Sequence, residues 1–305
     1  MKKDKNLSRP QQADSVGSRT LWQEAWLRFK RNRSAMLGAL FILILLVISV
    51  ATMVMDAADG GTFYQKMVIK QNLRAKLAPP SAAHIFGCDE YGRDVFFRML
   101  WGTRYSLFIG VCAIAIAMLA GGFFGAIAGF YGGRMDNVIM RIMDVFLAIP
   151  SMVLAIAVVA ALGTSMFNLL LSIAVPQIPR FARVVRAAVM GVRDKEFIEA
   201  SRAVGAGDGT IILRYILPNA IAPIIVQTTL GTANAILSIA GLSYLGLGIQ
   251  PPIPEWGAIL NSAKMYMRDA WHISVIPGLA IMLTVLSLNL FGDGLRDALD
   301  PKMKK

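Results

Sequence analysis

Apolar residues run in six long stretches along this chain, near 36–55, 106–130, 142–162, 166–188, 219–247 and 272–292, with the charges bunched between them. A bilayer core about 30 Å thick is crossed by roughly 20 apolar residues in a helix. The pattern therefore predicts an all-α integral membrane protein with six transmembrane helices. The fourth stretch is the weakest, because Pro176, Pro179, Arg180 and Arg183 interrupt it. The expected layout is a tail and interfacial helix at 1–35, a first span at 36–55, a loop at 56–103, a transmembrane core at 104–293 and a tail at 294–305. The first run is long, follows a polar segment and lacks a small-residue cleavage pattern, so it reads as a retained helix and not a signal peptide.

Composition agrees. The 305 residues are 56% hydrophobic and only 16% charged, too apolar for an ordinary soluble domain. A net charge of +12 on a soluble chain would suggest nucleic acid; here topology accounts for it. Lys2, Lys3, Lys5, Arg9, Arg19, Arg28, Lys30, Arg31 and Arg33 precede the first span, and Arg180, Arg183, Arg186, Arg193, Lys195, Arg202 and Arg214 lie between 180 and 214. Six spans put both groups, and Lys302, Lys304 and Lys305, on one side, which the positive-inside rule makes cytoplasmic. Lys66, Lys70, Arg74 and Lys76 run against the asymmetry, but long translocated loops weigh less. Both termini are expected in the cytoplasm. Cys88 sits in a polar loop and Cys112 in an apolar span, so no disulfide is expected.

Between the fourth and fifth spans lies a polar island, the loop 189–218. Phe197, Ile198, Ala200, Ala203 and Val204 give a short helix an apolar patch, ringed by Glu196, Glu199 and Arg202. Gly205 suits the left-handed conformation that ends a helix. Ile211, Ile212, Tyr215 and Ile216 form a second apolar stripe, and Pro218 stands where the chain turns into span five. Two short helices at an angle, with apolar residues rimmed by charge, suit a groove on a soluble partner. Residue types alone leave open a plainer alternative, a solvated loop with ordinary helix charges.

Other positions carry weaker signals. Trp22, Trp26 and Phe29 recur at helical spacing beside basic residues, the pattern of a helix lying at the headgroup level. Gly121, Gly125 and Gly129 share one face of span two and permit close helix approach. Pro150 and Pro277 are expected kinks, and Asp144 is expected to pair with Arg141. Gly292 and Gly294 are expected to break the last span. In span five, Gln227, Thr228, Thr229, Thr232 and Asn234 either face a lumen or hydrogen-bond neighbouring helices. In the loop at 56–103, Gly87 and Gly92 permit turns while Asp89, Arg93 and Asp94 pair to fix the loop.

Membrane enzymes need convergent ionisable groups at depth, and the spans show none. His84 and His272 are far apart and lack metal-ligand spacing, and no Gly-x-x-x-x-Gly-Lys-Ser/Thr phosphate loop occurs. No catalytic or metal site is expected. The absence of an internal repeat argues against an inverted-repeat secondary transporter.

Glu199-Ala200-Ser201, three residues, Gly205 and then Leu217-Pro218 resemble the coupling loop of ABC-importer permeases, with Ser201 in place of a second Ala and Tyr215 where many relatives have Ile. His84-Ile85-Phe86-Gly87-Cys88-Asp89-Glu90-Tyr91-Gly92-Arg93-Asp94 resembles a His-x-x-Gly-Thr-Asp-x-x-Gly-Arg-Asp segment of the dipeptide/oligopeptide branch, Cys88 replacing Thr. Pro251-Pro252 followed by Trp256-Gly257, and the run from Gly292 to Pro301, are similar to two further segments of that branch. The likeness extends from about residue 19 to 302. It implies a type I ABC importer permease fold with an amino-terminal elbow helix and a cytoplasmic coupling helix. It also implies half of a translocation path for dipeptides, oligopeptides or solutes such as nickel chelates, in a bacterial inner membrane. The implied partners are a second homologous permease, two cytoplasmic ATPases that hold ATP and magnesium, an external solute-binding protein and lipid. No cofactor and no nucleic acid would bind this chain. Glu196, Glu199, Ala200, Ser201, Gly205, Leu217 and Pro218 would carry the coupling.

Overall fold

The structure, a computed structural model, describes residues 21–299. Its helices are α1 (Leu21–Arg31), α2 (Arg33–Asp59), α3 (Val95–Tyr131), α4 (Gly133–Ala148), α5 (Ser151–Leu162) and α6 (Met166–Arg193). They continue as α7 (Glu196–Ala203), α8 (Asp208–Thr210), α9 (Leu217–Asn219), α10 (Ile221–Tyr244), α11 (Trp256–Ala263) and α12 (His272–Leu299). A wider π-helical turn, Ile211–Ile216, joins α8 to α9. The described residues hold no strand, only an isolated bridge between Cys88 and Asp94. The tail lysines at 2, 3, 5, 302, 304 and 305, with Arg9 and Arg19, lie outside the described residues.

Among the described residues four helices are long and apolar enough to cross a membrane: α2, α3, α10 and α12. The pair α4 and α5 makes a fifth if counted as one span, but it is bent by 88°. The expected third span is thus broken rather than kinked. Proline disfavours helical backbone in the residue before it, and Ile149 is accordingly extended (φ −91°, ψ 127°). Helix α6 is long enough, yet Pro176, Pro179 and its arginines keep it below the apolarity of the other four. Two further boundaries differ from expectation. Helix α3 starts at Val95, well before 106, because Asp94 caps it and its early turns carry arginines that hide the helix from hydropathy. Helix α12 runs on through Gly292 and Gly294, whose role is close approach. A Cβ at Gly292 would lie 2.8 Å from Leu230 Cδ2, and one at Gly294 would collide with Ala35.

Helices α3 and α6 form the most extensive contact, and α12 packs between α2 and α10. Gly121, Gly125 and Gly129 make the first of these possible. A Cβ at Gly121 would sit 2.5 Å from the Ile178 carbonyl oxygen, one at Gly125 would strike the Ala182 carbonyl, and one at Gly129 would be 2.8 Å from that of Arg186. Without a hydrophobic drive between helices in lipid, such backbone contact is what holds the pair. Gly125→Ala is expected to lower stability by roughly 1–3 kcal/mol through overpacking, read as a fall in melting temperature in detergent. Gly122→Ala is the control, since a Cβ there meets nothing within 4 Å.

Helix α1 forms as expected, but only part of its face lies at the surface. Trp26 is half exposed with Lys30 Nζ 5.1 Å from its ring centre. Phe29 is buried, edge-on to Phe291 of α12 at 5.4 Å, so it fastens α1 to the bundle instead of reaching the headgroups. The side chain of Trp22 lies outside the described residues. Cys88 and Cys112 are both free thiols.

Candidate functional site

Helix α7 and the turn after it connect the end of α6 to the start of α10. Gly205 takes φ +83° and closes a two-bond helix stop, its N–H donating to Arg202 O (2.9 Å) and the Ala206 N–H to Ser201 O (3.1 Å). The expected apolar patch on α7 divides in two. Ile198 is fully buried in a cluster with Ile211, Ile216, Val185, Val189 and Val192. Ser201 also turns inward and donates to Phe197 O (2.7 Å). Glu196, Phe197, Glu199, Ala200, Ala203 and Val204 remain exposed, Val204 at 85%. Leu217 joins the buried cluster from α9, whereas Pro218 is exposed in the first turn of α9, where its missing N–H costs nothing.

Three contacts tie this segment to the end of α3, and none was foreseen. The Tyr131 hydroxyl donates to Asp208 Oδ2 (3.0 Å), Arg193 Nη1 donates to Gly129 O (2.9 Å), and the Arg202 guanidinium lies 5.4 Å from the Phe130 ring centre. The aromatic pair closing span two, Phe130-Tyr131, was the available signal. Helix α4 is held to α6 by Arg186 on Asp136 (2.5 and 2.6 Å) and by Arg183 on Asp144 (2.6 Å). Asp144 therefore pairs with Arg183 and not with Arg141. The reason is that α4 lays its acidic side against the arginine face of α6, a juxtaposition local spacing does not show.

At the far end, the 84–94 motif folds into a knot. Asp89 Oδ1 accepts the N–H groups of Tyr91 and Arg93 (both 2.9 Å), and its Oδ2 accepts Arg93 Nε (2.6 Å). Arg98 Nε lies 3.3 Å from the same Oδ2, and Arg98 Nη1 reaches Val68 O and Pro252 O, both 3.4 Å. Asp94 departs from the expected pairing: Oδ1 caps α3 at Phe96 N (2.8 Å), and Oδ2 meets His84 Nδ1 (2.8 Å). Gly87 (φ +73°) and Gly92 (φ +69°) are required on two counts, since a Cβ at Gly87 would lie 2.7 Å from His272 Nε2 and one at Gly92 would strike Asn72 O. The 251–257 segment docks here too. Trp256, buried, donates from Nε1 to Met99 O (3.1 Å), and Glu255 caps α11 through Gly257 N and Ala258 N (2.8 and 2.9 Å). Burial pushes the Glu90 and Glu255 carboxyls up and the Cys88 thiol to about 11.

In α10 the polar side chains fold back onto their own helix. Thr228 donates to Ile224 O (2.8 Å), Thr229 to Ile225 O (3.0 Å), Thr232 to Thr228 O (2.8 Å) and Asn234 to Leu230 O (3.1 Å). Thr232 is buried, Gln227 half-buried and Asn234 exposed. Of the five, Thr228 also reaches another helix, 3.4 Å from Met118 Sδ of α3. Among the described residues no three His, Cys, Asp or Glu side chains gather as a metal site.

Residues 121–305 match the family described as binding-protein-dependent transport system inner membrane component, and residues 20–80 match the amino-terminal transmembrane domain of oligopeptide transport permease C. This chain is a binding-protein-dependent transport permease. The permease is 43% identical over 97% of its length to the dipeptide transport system permease protein of Alkalihalophilus pseudofirmus, covering 94% of that protein. It is 44% identical to the glutathione transport system permease protein of Pectobacterium atrosepticum, over 94% of its own length and 93% of the relative. Its fold is similar to a chain of the MetNI methionine ABC transporter, with a TM-score of 0.55 at 19% identity, over 67% of this chain and 97% of that one. The permease is a multi-pass membrane subunit of an ABC importer, and in this family ATP hydrolysis belongs to separate subunits.

Proposed function

We propose that the permease imports short peptides, with α7 as the element that docks in a partner ATPase and both termini in the cytoplasm. The observation that carries this is the division of α7. One side is built into the bundle through Ile198 and the tethers to α3, while the other presents Phe197 and Val204 at the surface among Glu196 and Glu199. A helix so rooted passes a push at its outer face to α3, α6 and α10 together. One short helix is small beside the roughly 1,600 Å² of a standard interface, so the complex would be completed by a second permease and two ATPases. The relatives' dipeptide and glutathione substrates support the peptide assignment.

Purification of tagged permease from native membranes should carry ATPase subunits and a second permease with it, and uptake of labelled dialanine into vesicles should require ATP. Val204→Cys should react with an impermeant maleimide only from the cytoplasmic side. Peptide uptake without ATP, or labelling from outside, would end this proposal.

A further inference from the structure

The charge pattern groups Arg180 with the arginines of the cytoplasmic side, but the fold places it elsewhere. Helix α6 is 28 residues long, about 42 Å at 1.5 Å per residue, and Arg180 stands about 20 Å from either end. From Asn168 to Pro179 no residue of α6 is exposed; Arg180 is the first that is. Arginines near a helix end can reach the headgroups, whereas a charge at mid-depth is costly and faces a bundle interior or a water-filled cavity.

The rest of its face indicates water. Arg180, Arg183 and Ala187 recur at helical spacing and are all exposed. One turn from Arg180, the ion pair of Arg183 with Asp144 of α4 has side chains 55% and 47% exposed. An open pair of charges on a membrane helix belongs against a hydrated path and not against lipid tails. Within this chain the nearby carboxylates are already taken, Asp144 by Arg183 (2.6 Å) and Asp136 by Arg186 (2.5 Å). Arg180 has neither an ion pair nor a hydrogen bond among the described residues. Its guanidinium is charged at every working pH and offers parallel N–H donors that match the two oxygens of a carboxylate. With no resident partner, it is left for a carboxylate that arrives and departs. Water along the path screens such a pair, so it holds without trapping.

We infer that Arg180 is a cargo-binding residue of the translocation path, its guanidinium receiving the terminal carboxylate of a peptide in transit. The inference rests on the peptide reading above and adds to it the residue that holds the charged end. The test compares uptake of dialanine with that of dialanine amide by the complete transporter in proteoliposomes, at concentrations that give the wild type measurable uptake of each. Arg180→Gln and Arg180→Glu are set beside the wild type. Any preference of the solute-binding protein is common to all three and cancels in the ratio of ratios. The wild-type preference for the free acid should fall about five-fold in Arg180→Gln, the effect of one ion pair in a hydrated setting. It should fall further in Arg180→Glu, whose charge repels the carboxylate, with amide uptake retained in both. A preference unchanged in either variant overturns the assignment while leaving peptide import standing. Equal loss of both compounds, or loss of the second permease from the purified complex, also overturns it, since Arg180 would then serve the assembly and not the cargo. Wild-type transporter that takes up neither compound overturns the peptide reading, and this inference with it.

Discussion

Gly205→Pro is expected to reduce ATP-driven uptake by more than about ten-fold while leaving the permease inserted and folded. Proline is held at φ near −65°, and Gly205 sits at φ +83°. The substitution also deletes the N–H that donates to Arg202 O, one of the two bonds that stop α7. The chain beyond Val204 must then leave α7 in another direction, and the outer face of the helix turns away from its partner. Nothing lies within 4 Å of a Cβ at this position, so the bundle itself does not resist the change. Gly205→Asn should retain most activity, because asparagine tolerates the left-handed region. Glu199→Arg separates docking from backbone geometry, since Glu199 is exposed. It should weaken ATPase co-purification and uptake together with no change in thermal stability. Unaltered uptake in Gly205→Pro and Glu199→Arg would remove α7 from the coupling mechanism.

The second large effect is on stability. Asp89→Ala leaves the guanidinium groups of Arg93 and Arg98 buried without their shared carboxylate, all three residues being no more than 3% exposed. Removing one partner of a buried ion pair costs about 3–5 kcal/mol. The loss should appear as a much lower melting temperature and as proteolysis between α2 and α3, because Arg98 also bridges Val68 and Pro252. Asp89→Asn, which keeps an oxygen for the Tyr91 and Arg93 N–H groups, should fall between. Equal stability of Asp89→Ala and wild type would mean that the knot contributes nothing. The neighbouring Glu90 gives this region a pH signature. Its pKa is raised by burial and by Asp89, against the lowering pull of Arg93 and Arg98. A raised carboxyl pKa means that the folded state holds the proton more tightly, so stability declines as pH rises from the ordinary carboxylate range through the raised one. Glu90→Gln should flatten that decline in a melting-temperature profile.

Much of this permease was legible from local pattern. The apolar runs marked α2, α10 and α12 because burial in lipid demands the same residue types along the whole length of a span. The spacing of Gly121, Gly125 and Gly129 announced a close helix contact, and Gly205 announced a helix stop, since each depends on the absence of a Cβ. Patterns failed where polar residues served the interior. Arg98 and Arg104 concealed the first turns of α3, and both are held in ion pairs across the far end, Arg98 with Asp89 and Arg104 with Asp56.

Residue order alone determined that the chain lives in a bilayer and which island holds the charged helix–glycine–helix segment, because each follows from the free energy of residues near one another along the chain. Partnership across the bundle was decided only by the tertiary structure. Asp144 took Arg183 and not Arg141, Phe29 went beneath α12, Ile198 faced inward while Val204 faced out, and Tyr131 reached Asp208. Those choices depend on which helix faces meet at what rotation, and that is settled by the packing of all the helices at once.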